Sequence, residues 1–267
     1  MIKAVDLSFR INRKNILRNV SFELEAGELM VILGSNGAGK STLLKLLSGE
    51  LEASAGYIAL DQKDLSRWNL KELAKFRAVL HQQTILTLPF KAGEVVMMGR
   101  YPHFGDRPLP IDQEIVENAL KRTGTTHLSD RNYLTLSGGE QQRIHLARVF
   151  AQVGYSSPLQ TRYLFMDEPL NSLDIRHQHA TLELVKEFTN EGHCVVAVLH
   201  DLNLAMQYAD KALMLRNGQT ICFGSARKVF RSDTISNTYD FPLQVVSHSC
   251  DKHPVIVPAF TTNKITT

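Results

Sequence analysis

The chain has no long apolar segment. Its longest clean apolar runs are short, such as residues 195–199, whereas a membrane-spanning helix needs about 18 or more apolar residues in succession. The opening sequence MIKAVDLSFRINRK also lacks the apolar core and the small-residue cleavage site of a secretory signal. These absences predict a chain that does not cross a membrane itself and is not exported.

Cysteine and net charge are also scarce. The 3 cysteines, Cys194, Cys222 and Cys250, lie far apart and form no CxxC pair, which predicts reduced thiols in a cytosolic protein. The net charge of +3 is small and spread along the chain, so the composition predicts no nucleic-acid partner. With 267 residues, 43% hydrophobic and 21% charged, the chain has the composition of an ordinary globular protein of one or two domains.

Short apolar segments alternate with amphipathic ones over most of the chain. The run ELMVIL at 28–33 predicts a buried strand, and STLLKLL at 41–47 predicts a helix. Helical patterns separated by proline-containing loops fill about residues 86–159, after which strands and helices alternate again. We therefore predict an α/β protein with a mostly parallel sheet, formed by about 1–85 and 160–267, and a helical insertion at about 86–159.

A glycine-rich segment follows the first buried strand. Residues 34–41, GSNGAGKS, match the phosphate-binding pattern GxxxxGK[ST] in full. Glycines let successive backbone N–H groups point at phosphate oxygens, and the following helix adds the positive end of its dipole. An ordinary glycine turn is the alternative, but the flanking apolar strand and helix favour a nucleotide site. Its predicted residues are Gly34, Ser35, Asn36, Gly37, Ala38, Gly39, Lys40, Ser41 and Thr42.

A second apolar strand ends in two acids. The sequence YLFMDE at 163–168 brings Asp167 and Glu168 to the end of a buried strand, where adjacent carboxylates are costly without a function. We predict that Ser41 and Asp167 hold Mg²⁺ and that Glu168 accepts a proton from a water attacking the γ-phosphate of the bound nucleotide. A solvated acidic turn is the alternative. The two motifs alone leave kinases, helicases and transport ATPases open.

A third motif distinguishes these classes. Residues 136–143, LSGGEQQR, resemble the LSGGQ signature of ATP-binding cassette (ABC) ATPases, with Glu140 in the fifth place. Gln82 fits the family's Q-loop, residues 172–174 its D-loop and His200 its switch histidine, all in the family's order. The resemblance covers about residues 2–230. It implies a single ABC cassette over 1–267, with a RecA-like P-loop NTPase core, an N-terminal antiparallel β subdomain and an inserted α-helical subdomain.

The resemblance implies that two copies act together. ABC ATPases pair head to tail, so that the ATP on one phosphate loop is covered by the signature of the other copy. The expected covering residues are Ser137, Gly138, Gly139 and Glu140, at the start of a helix that offers backbone donors to an anion. Asp174 of the D-loop is assigned to the same nucleotide site.

The resemblance also assigns the catalytic roles. Glu168 is the expected base, His200 contacts the γ-phosphate, and Gln82 reaches Mg²⁺ and the attacking water. The alternative for His200 is a hydrogen-bonded histidine at a strand end, and the alternative for Gln82 is an exposed loop amide. The family stacks adenine on an aromatic side chain near the N-terminus, for which Phe9 is the candidate, with a strand core residue as the alternative.

One cluster suggests a metal at first sight. Asp174, His177 and His179 follow one another closely on a predicted helix. Asp174 and His177 share a face at a spacing of three, but His179 turns away from it. We therefore favour a solvated helix face over a metal site.

Finer similarities concern one group of the family. The segment MGRYPH at 98–103 resembles ATPases of iron-siderophore, haem and cobalamin importers. The stretches EQQRIHLARVFAQ at 140–152 and LDIRHQH at 173–179, with an extra loop at 153–162, resemble the ATPases of haemin importers most closely. Arg100, Tyr101 and His103 are expected on the surface that receives the permease.

That resemblance implies ATP-driven haem import. Two cassettes would dock on two copies of a separate permease at the cytoplasmic face of the bacterial inner membrane, with a periplasmic haem-binding protein delivering to the permease. A ferric siderophore or cobalamin importer is the first alternative. An ABC ATPase without a transport role, acting as a regulatory or ribosome-associated module, is the alternative of a different class.

Overall fold

The computed structural model describes residues 1–82, 86–154, 160–247 and 254–259. Residues 155–159, half of the extra loop predicted at 153–162, and the cysteine at 250 therefore lie outside the described residues. The strands within these ranges are β1 (Ile2–Ile11), β2 (Lys14–Leu24), β3 (Leu29–Gly34), β4 (Ala55–Leu60), β5 (Lys63–Asp64), β6 (Arg77–Leu80), β7 (Tyr163–Asp167), β8 (Cys194–Val198), β9 (Lys211–Arg216), β10 (Gln219–Ser225), β11 (Leu243–Val246) and β12 (Val255–Pro258). The helices are α1 (Lys40–Leu47), α2 (Leu70–Phe76), α3 (Ala92–Met97), α4 (Pro110–Arg122), α5 (Gly138–Val153), α6 (Ile175–Asn190), α7 (Leu202–Tyr208), α8 (Ala226–Val229) and α9 (Ser232–Tyr239).

The central sheet has six strands in the order β10, β9, β3, β8, β7, β6. The five strands from β9 to β6 are mutually parallel, and only β10 is antiparallel, because it forms a hairpin with β9. The hairpin turns at Asn217 and Gly218, which both have positive φ. The prediction of a mostly parallel sheet is confirmed.

The strand β3 divides two hydrophobic cores. All six of its residues are buried. Leu29, Val31 and Leu33 join the core formed with α3, α4, α5 and α6, whereas Met30 and Ile32 join the core formed with α1, β1 and β2. Alternation at a period of two explains this division, since successive side chains of a strand point to opposite faces. A sheet covered on both faces needs continuous apolar runs, which is the pattern in the sequence.

The first two strands belong to a separate antiparallel sheet, in the order β2, β1, β4, β5. Its buried side chains belong to the same core as α1, so this sheet packs next to the helix that follows the phosphate loop. The last part of the described chain adds α9 and the antiparallel pair β11 and β12.

Helices dominate the chain between β6 and β7. α5 packs against α3, α4 and β6, so the helical region contacts the edge of the central sheet. α4 begins with Pro110, whose fixed φ suits the first helical position. No helix within the described ranges combines the length and the hydropathy that a membrane crossing requires.

Candidate functional site

The phosphate loop joins an inner strand of the central sheet to the first helix. β3 ends at Gly34, and α1 begins at Lys40. A Cβ on Gly34 would lie 2.2 Å from the carbonyl oxygen of Leu215, so the loop needs glycine there. Gly37 has a φ of 78°, and a Cβ on it would have no described atom within 4 Å. The loop therefore combines a tight start against β9 with a backbone that faces open space.

Lys40 is buried within this loop. Its Nζ donates to the carbonyl oxygens of Gly34 at 2.8 Å and Ser35 at 3.1 Å. Burial lowers the pKa of Lys40, while the negative charges of Glu168 and Asp167 raise it. Because neutral carbonyls are weaker partners for an ammonium than phosphate oxygens, a bound triphosphate can replace them.

Asp167 and Ser41 bring the two predicted metal-binding motifs together. Asp167 ends β7, and its Oδ1 accepts a hydrogen bond of 3.1 Å from the Ser41 hydroxyl. Burial raises the pKa of Asp167, and the hydrogen bond from Ser41 opposes that shift. Hydroxyl and carboxylate oxygens are the hard donors that Mg²⁺ prefers, so these two residues fit the predicted ion.

The carboxylate of Glu168 lies at the centre of a cluster. His200 Nε2 lies 2.5 Å from Oε1, and Gln82 Nε2 donates to Oε2 at 2.6 Å. The backbone of Glu168 has a φ of 51°, which is uncommon for a residue other than glycine. The structure thus brings together the three residues that the sequence proposed as catalytic, from three separate segments of the chain.

Two further residues join the site without having been predicted. Asn171 Nδ2 donates to Oε2 of Glu168 at 2.6 Å. The hydroxyl of Tyr239, on α9, accepts a hydrogen bond of 3.2 Å from the backbone N–H of Gly34, and burial raises the pKa of Tyr239 to about 12. The position of Asn171, three residues after Glu168, was a usable signal, whereas nothing local in the sequence connects Tyr239 with the phosphate loop.

The signature motif forms the start of α5. Ser137 Oγ accepts a hydrogen bond from Glu140 N at 3.3 Å, and Glu140 Oε2 accepts one from Ser137 N at 2.8 Å. These reciprocal bonds form a capping box and lower the pKa of Glu140. Ser137 and Gly138 are exposed, and among the described residues no hydrogen bond joins them to the phosphate loop of the same chain. This helix start is therefore open to a second molecule.

Glycine at 139 permits close contact with the D-loop of the same chain. A Cβ on Gly139 would lie 3.0 Å from the carbonyl oxygen of Ser172, which itself has a φ of 68°. A larger residue would push the signature helix away from the turn before α6. The signature and the D-loop therefore form one continuous surface.

Comparison with known protein families identifies the family to which this chain belongs. The family model described as ABC transporter matches residues 17–171, which is more than half of the chain. The chain belongs to the ABC transporter family. The family predicted from the phosphate loop and the signature motif is thereby confirmed.

Relatives of this ABC cassette match it over nearly its full length. A protein of Pseudomonas fluorescens (strain Pf0-1) named hemin import ATP-binding protein HmuV is 44% identical over 257 residues, which are 96% of this chain and 99% of the relative. A protein of the same name from Deinococcus radiodurans is 44% identical over 258 residues, 97% of either chain.

Solved structures support the same fold. A metal-chelate type ABC transporter in an inward-facing conformation has a TM-score of 0.82, 26% sequence identity and a coverage of 98% of both chains. A bacterial ABC transporter cassette solved as a dimer has a TM-score of 0.73 and 25% identity, and the match covers 85% of this chain and 99% of that one. The predicted ABC cassette fold is confirmed.

Phe9 and Asp174, which were predicted to bind the nucleotide, both make contacts within the cassette itself. Phe9 pairs with Leu17 across β1 and β2 and packs, half-buried, against the core that contains α1. Asp174 caps α6 by accepting a hydrogen bond from the backbone of His177 at 2.9 Å, and His177 Nδ1 lies 2.7 Å from the same oxygen. His179 instead contacts the hydroxyl of Tyr208 at 2.7 Å. The favoured helix-face interpretation agrees with these separate partners, and the nucleotide roles of Phe9 and Asp174 stay predictions.

The prediction that Arg100 faces a permease is wrong. Arg100 is buried, where its Nε donates to Asp112 Oδ1 at 2.9 Å and its Nη1 donates to the carbonyl of Ala151 at 2.8 Å. The sequence misled because the partner, Asp112, lies on another element, α4. His103 is half-buried and bonded to the carbonyl of Gln152, and only Tyr101 of the three is exposed.

Proposed function

We propose that this cassette binds and hydrolyses ATP to drive the import of haem across the bacterial inner membrane. The observation that carries the ATPase assignment is the convergence of Gln82 and His200 on the carboxylate of Glu168, next in the chain to Asp167, which bonds Ser41. The choice of haem is supported by relatives named hemin import ATP-binding protein, with 38% to 44% identity over almost the whole chain.

In this proposal the phosphate loop and Lys40 bind the triphosphate through backbone N–H groups and the buried ammonium. Ser41 and Asp167 would hold Mg²⁺, which would supply positive charge next to the bound phosphates. Glu168 accepts a proton from a water molecule while the water oxygen bonds to the γ-phosphorus and the bond from that phosphorus to the ADP oxygen breaks. His200 donates to a γ-phosphate oxygen and so stabilises the developing charge.

Hydrolysis requires a second copy of the chain in this proposal. The exposed start of α5, with Ser137 and Gly138, supplies donors that cover the γ-phosphate on the partner's phosphate loop. Gln82 follows β6, at the edge of the sheet next to the helical region, so it links the nucleotide to that region. ATP would favour the closed pair and hydrolysis the open one.

An apolar groove on the surface of the helical region supports the proposal of a membrane-embedded partner. A groove of about 560 Å³ is lined mainly by apolar residues: Phe90, Met97, Met98, Tyr101, Phe104 and Pro108. Tyr101 is the exposed large aromatic of this group. We assign this groove to a cytoplasmic helix of a separate permease, two copies of which would bind two cassettes at the cytoplasmic face of the inner membrane. A periplasmic haem-binding protein would deliver substrate to the permease, without contact to this chain.

One observation favours a related alternative substrate. The inward-facing structure with a TM-score of 0.82 is described as of the metal-chelate type, and a ferric siderophore or cobalamin is a cargo of that chemical class. Its sequence identity of 26% is well below the 44% of the proteins named for hemin import. Haem is therefore the better supported substrate.

The test is uptake of labelled haem by bacteria that lack this chain and carry a plasmid copy of it. We expect the wild-type chain to restore uptake, Glu168→Gln to restore none, and the matched control Glu183→Gln, an exposed residue on α6, to act like wild type. Restored uptake of a ferric siderophore or cobalamin instead of haem would replace the substrate and keep the ATPase. No change in any uptake would contradict the transport role.

A further inference from the structure

We propose that Asn171 is a positioning residue that keeps the catalytic carboxylate of Glu168 aimed during ATP hydrolysis. The inference rests on the proposed ATPase function. Its basis is the 2.6 Å hydrogen bond from Asn171 Nδ2 to Glu168 Oε2. The family motifs assign roles to the residues on either side, Glu168 and the D-loop at 172–174, but they assign none to this amide.

The turn that carries both residues is fixed at several points. Its backbone is closed by Asn171 N donating to the carbonyl of Glu168 at 3.4 Å, and Glu168 N donates to the carbonyl of Val198 on the neighbouring strand at 3.2 Å. Leu170, between them, is buried in the core. Pro169 restricts the backbone further. The Asn171 side chain therefore projects from a rigid support toward a neighbour only three residues away.

Two helices hold this turn from outside. Gln142, on the signature helix α5, donates to the carbonyl of Pro169 at 3.1 Å, and Gln178, on α6, donates to the carbonyl of Leu170 at 3.5 Å. The peptide groups of the turn are thus bonded to α5, to α6 and to β8. A side chain held by such a support can fix the orientation of a reacting group closely.

Asn171 differs from the other two partners of the carboxylate. Gln82 and His200 come from distant segments, after β6 and β8, and in the proposed mechanism both turn toward the nucleotide. When they do, the bonds that they make to Glu168 in the present structure are lost. Asn171 has no role at the nucleotide in this mechanism, and it lies on the same turn as Glu168. Its hydrogen bond therefore persists and keeps the Glu168 carboxylate oriented toward the attacking water.

The chemistry of the side chain suits this role. A carboxamide offers two N–H donors and no charge, so it can bind an ionised carboxylate without neutralising it as a base. Aspartate has nearly the same shape, but it offers only acceptors and would repel Glu168 at 2.6 Å. The pair of substitutions Asn171→Ala and Asn171→Asp therefore separates hydrogen bonding from space filling.

The experiment measures ATP hydrolysis by purified full-length protein with Mg²⁺, for wild type, Asn171→Ser, Asn171→Ala, Asn171→Asp and the exposed control Asn190→Ala. We expect kcat to fall about tenfold to a hundredfold in Asn171→Ala, with KM for ATP within about twofold of wild type, because a misaimed base slows chemistry and not binding. The serine variant keeps a donor and should lie above alanine, and the aspartate variant should lie below it.

A second readout does not depend on turnover. Size-exclusion chromatography measures the ATP-driven dimerisation of the Glu168→Gln variant. The dimer fraction should be the same with and without Asn171→Ala, because the amide acts through the carboxylate. Loss of dimerisation, or an aspartate variant as active as wild type, would overturn the positioning role alone. Wild-type protein without ATPase activity would overturn the proposed function, and this inference with it.

Discussion

Arg100 and Asp112 form a buried ion pair between the segment after α3 and the first turn of α4, with 2.9 Å between Nε and Oδ1. The other oxygen of Asp112 accepts a hydrogen bond of 2.8 Å from Leu109 N, so the carboxylate also caps α4. Arg100 reaches further, to the carbonyl of Ala151 near the end of α5. Two side chains thus connect three helical segments of the region that we assign to permease binding.

Asp112→Ala should therefore destabilise the protein strongly. Removing one partner leaves a guanidinium buried without its counter-charge, which typically lowers the free energy of unfolding by about 3–5 kcal/mol. Denaturant unfolding followed by circular dichroism measures this loss, and the exposed Asp106→Ala is the matched control, with an expected change below about 0.5 kcal/mol. Equal effects of the two substitutions would mean that the pair contributes no more than a surface charge.

Lys40→Ala should weaken the binding of ATP itself. The buried ammonium is replaced by a methyl group, and charge-assisted hydrogen bonds of this kind are worth about 1.5–3 kcal/mol, or roughly tenfold to a hundredfold in affinity. Titration calorimetry with the Glu168→Gln background prevents turnover during the measurement. Lys45→Ala, exposed on the same helix, is the control, and an unchanged affinity in Lys40→Ala would contradict its role in phosphate binding.

Ser137→Arg should block pairing of two cassettes and leave ATP binding to one chain intact. The substitution places a long cation at the exposed start of α5, where the partner's nucleotide is proposed to dock. Analytical ultracentrifugation of Glu168→Gln with ATP should give a dimer, and the double variant with Ser137→Arg should give monomers. Asn190→Arg, an equal change of charge at the end of α6, is expected to leave the dimer unaffected. A dimer in the Ser137→Arg double variant would refute the trans-site arrangement.

His145 should make the free energy of unfolding decrease as the pH falls. Its Nε2 lies 2.7 Å from the hydroxyl of Tyr133, its Nδ1 has no partner among the described residues, and burial lowers its pKa to about 4. An unfolded histidine titrates near 6.5, so the folded state binds the proton less tightly than the unfolded state. The contribution is present above about pH 6.5 and is lost as the pH falls toward 4, by about 3 kcal/mol in total.

Replacement of this histidine isolates its share of the acid sensitivity. His145→Gln cannot bind a proton, so its free energy of unfolding should change less between pH 7 and pH 4 than that of wild type. The exposed His127→Gln should retain the wild-type slope. Identical slopes for wild type and His145→Gln would show that the buried imidazole does not control this range.

The local sequence predicted the elements that bury continuous apolar runs. The inner strands β3, β7 and β8 are wholly buried, and apart from Asp167 at the end of β7 their side chains are apolar, so these runs stood out from their surroundings. The edge strand β6 and the antiparallel β4 went unpredicted, because they bury only some of their residues and so form no continuous apolar run. Their pairing with β7 and β1 is a property of distant segments, which no local pattern records.

The functional site also combines features that the sequence predicted with contacts that only the tertiary structure formed. The sequence by itself determined the phosphate loop, the acids at the end of β7 and the signature helix start, because each needs particular residues at fixed spacing within one short segment. Only the tertiary structure decided which distant groups meet: Gln82 and His200 at Glu168, Tyr239 at Gly34, and Asp112 at Arg100. Those contacts depend on the order of strands in the sheet and on the packing of helices, since hydrogen bonds between distant segments form only where folding has already placed the backbone.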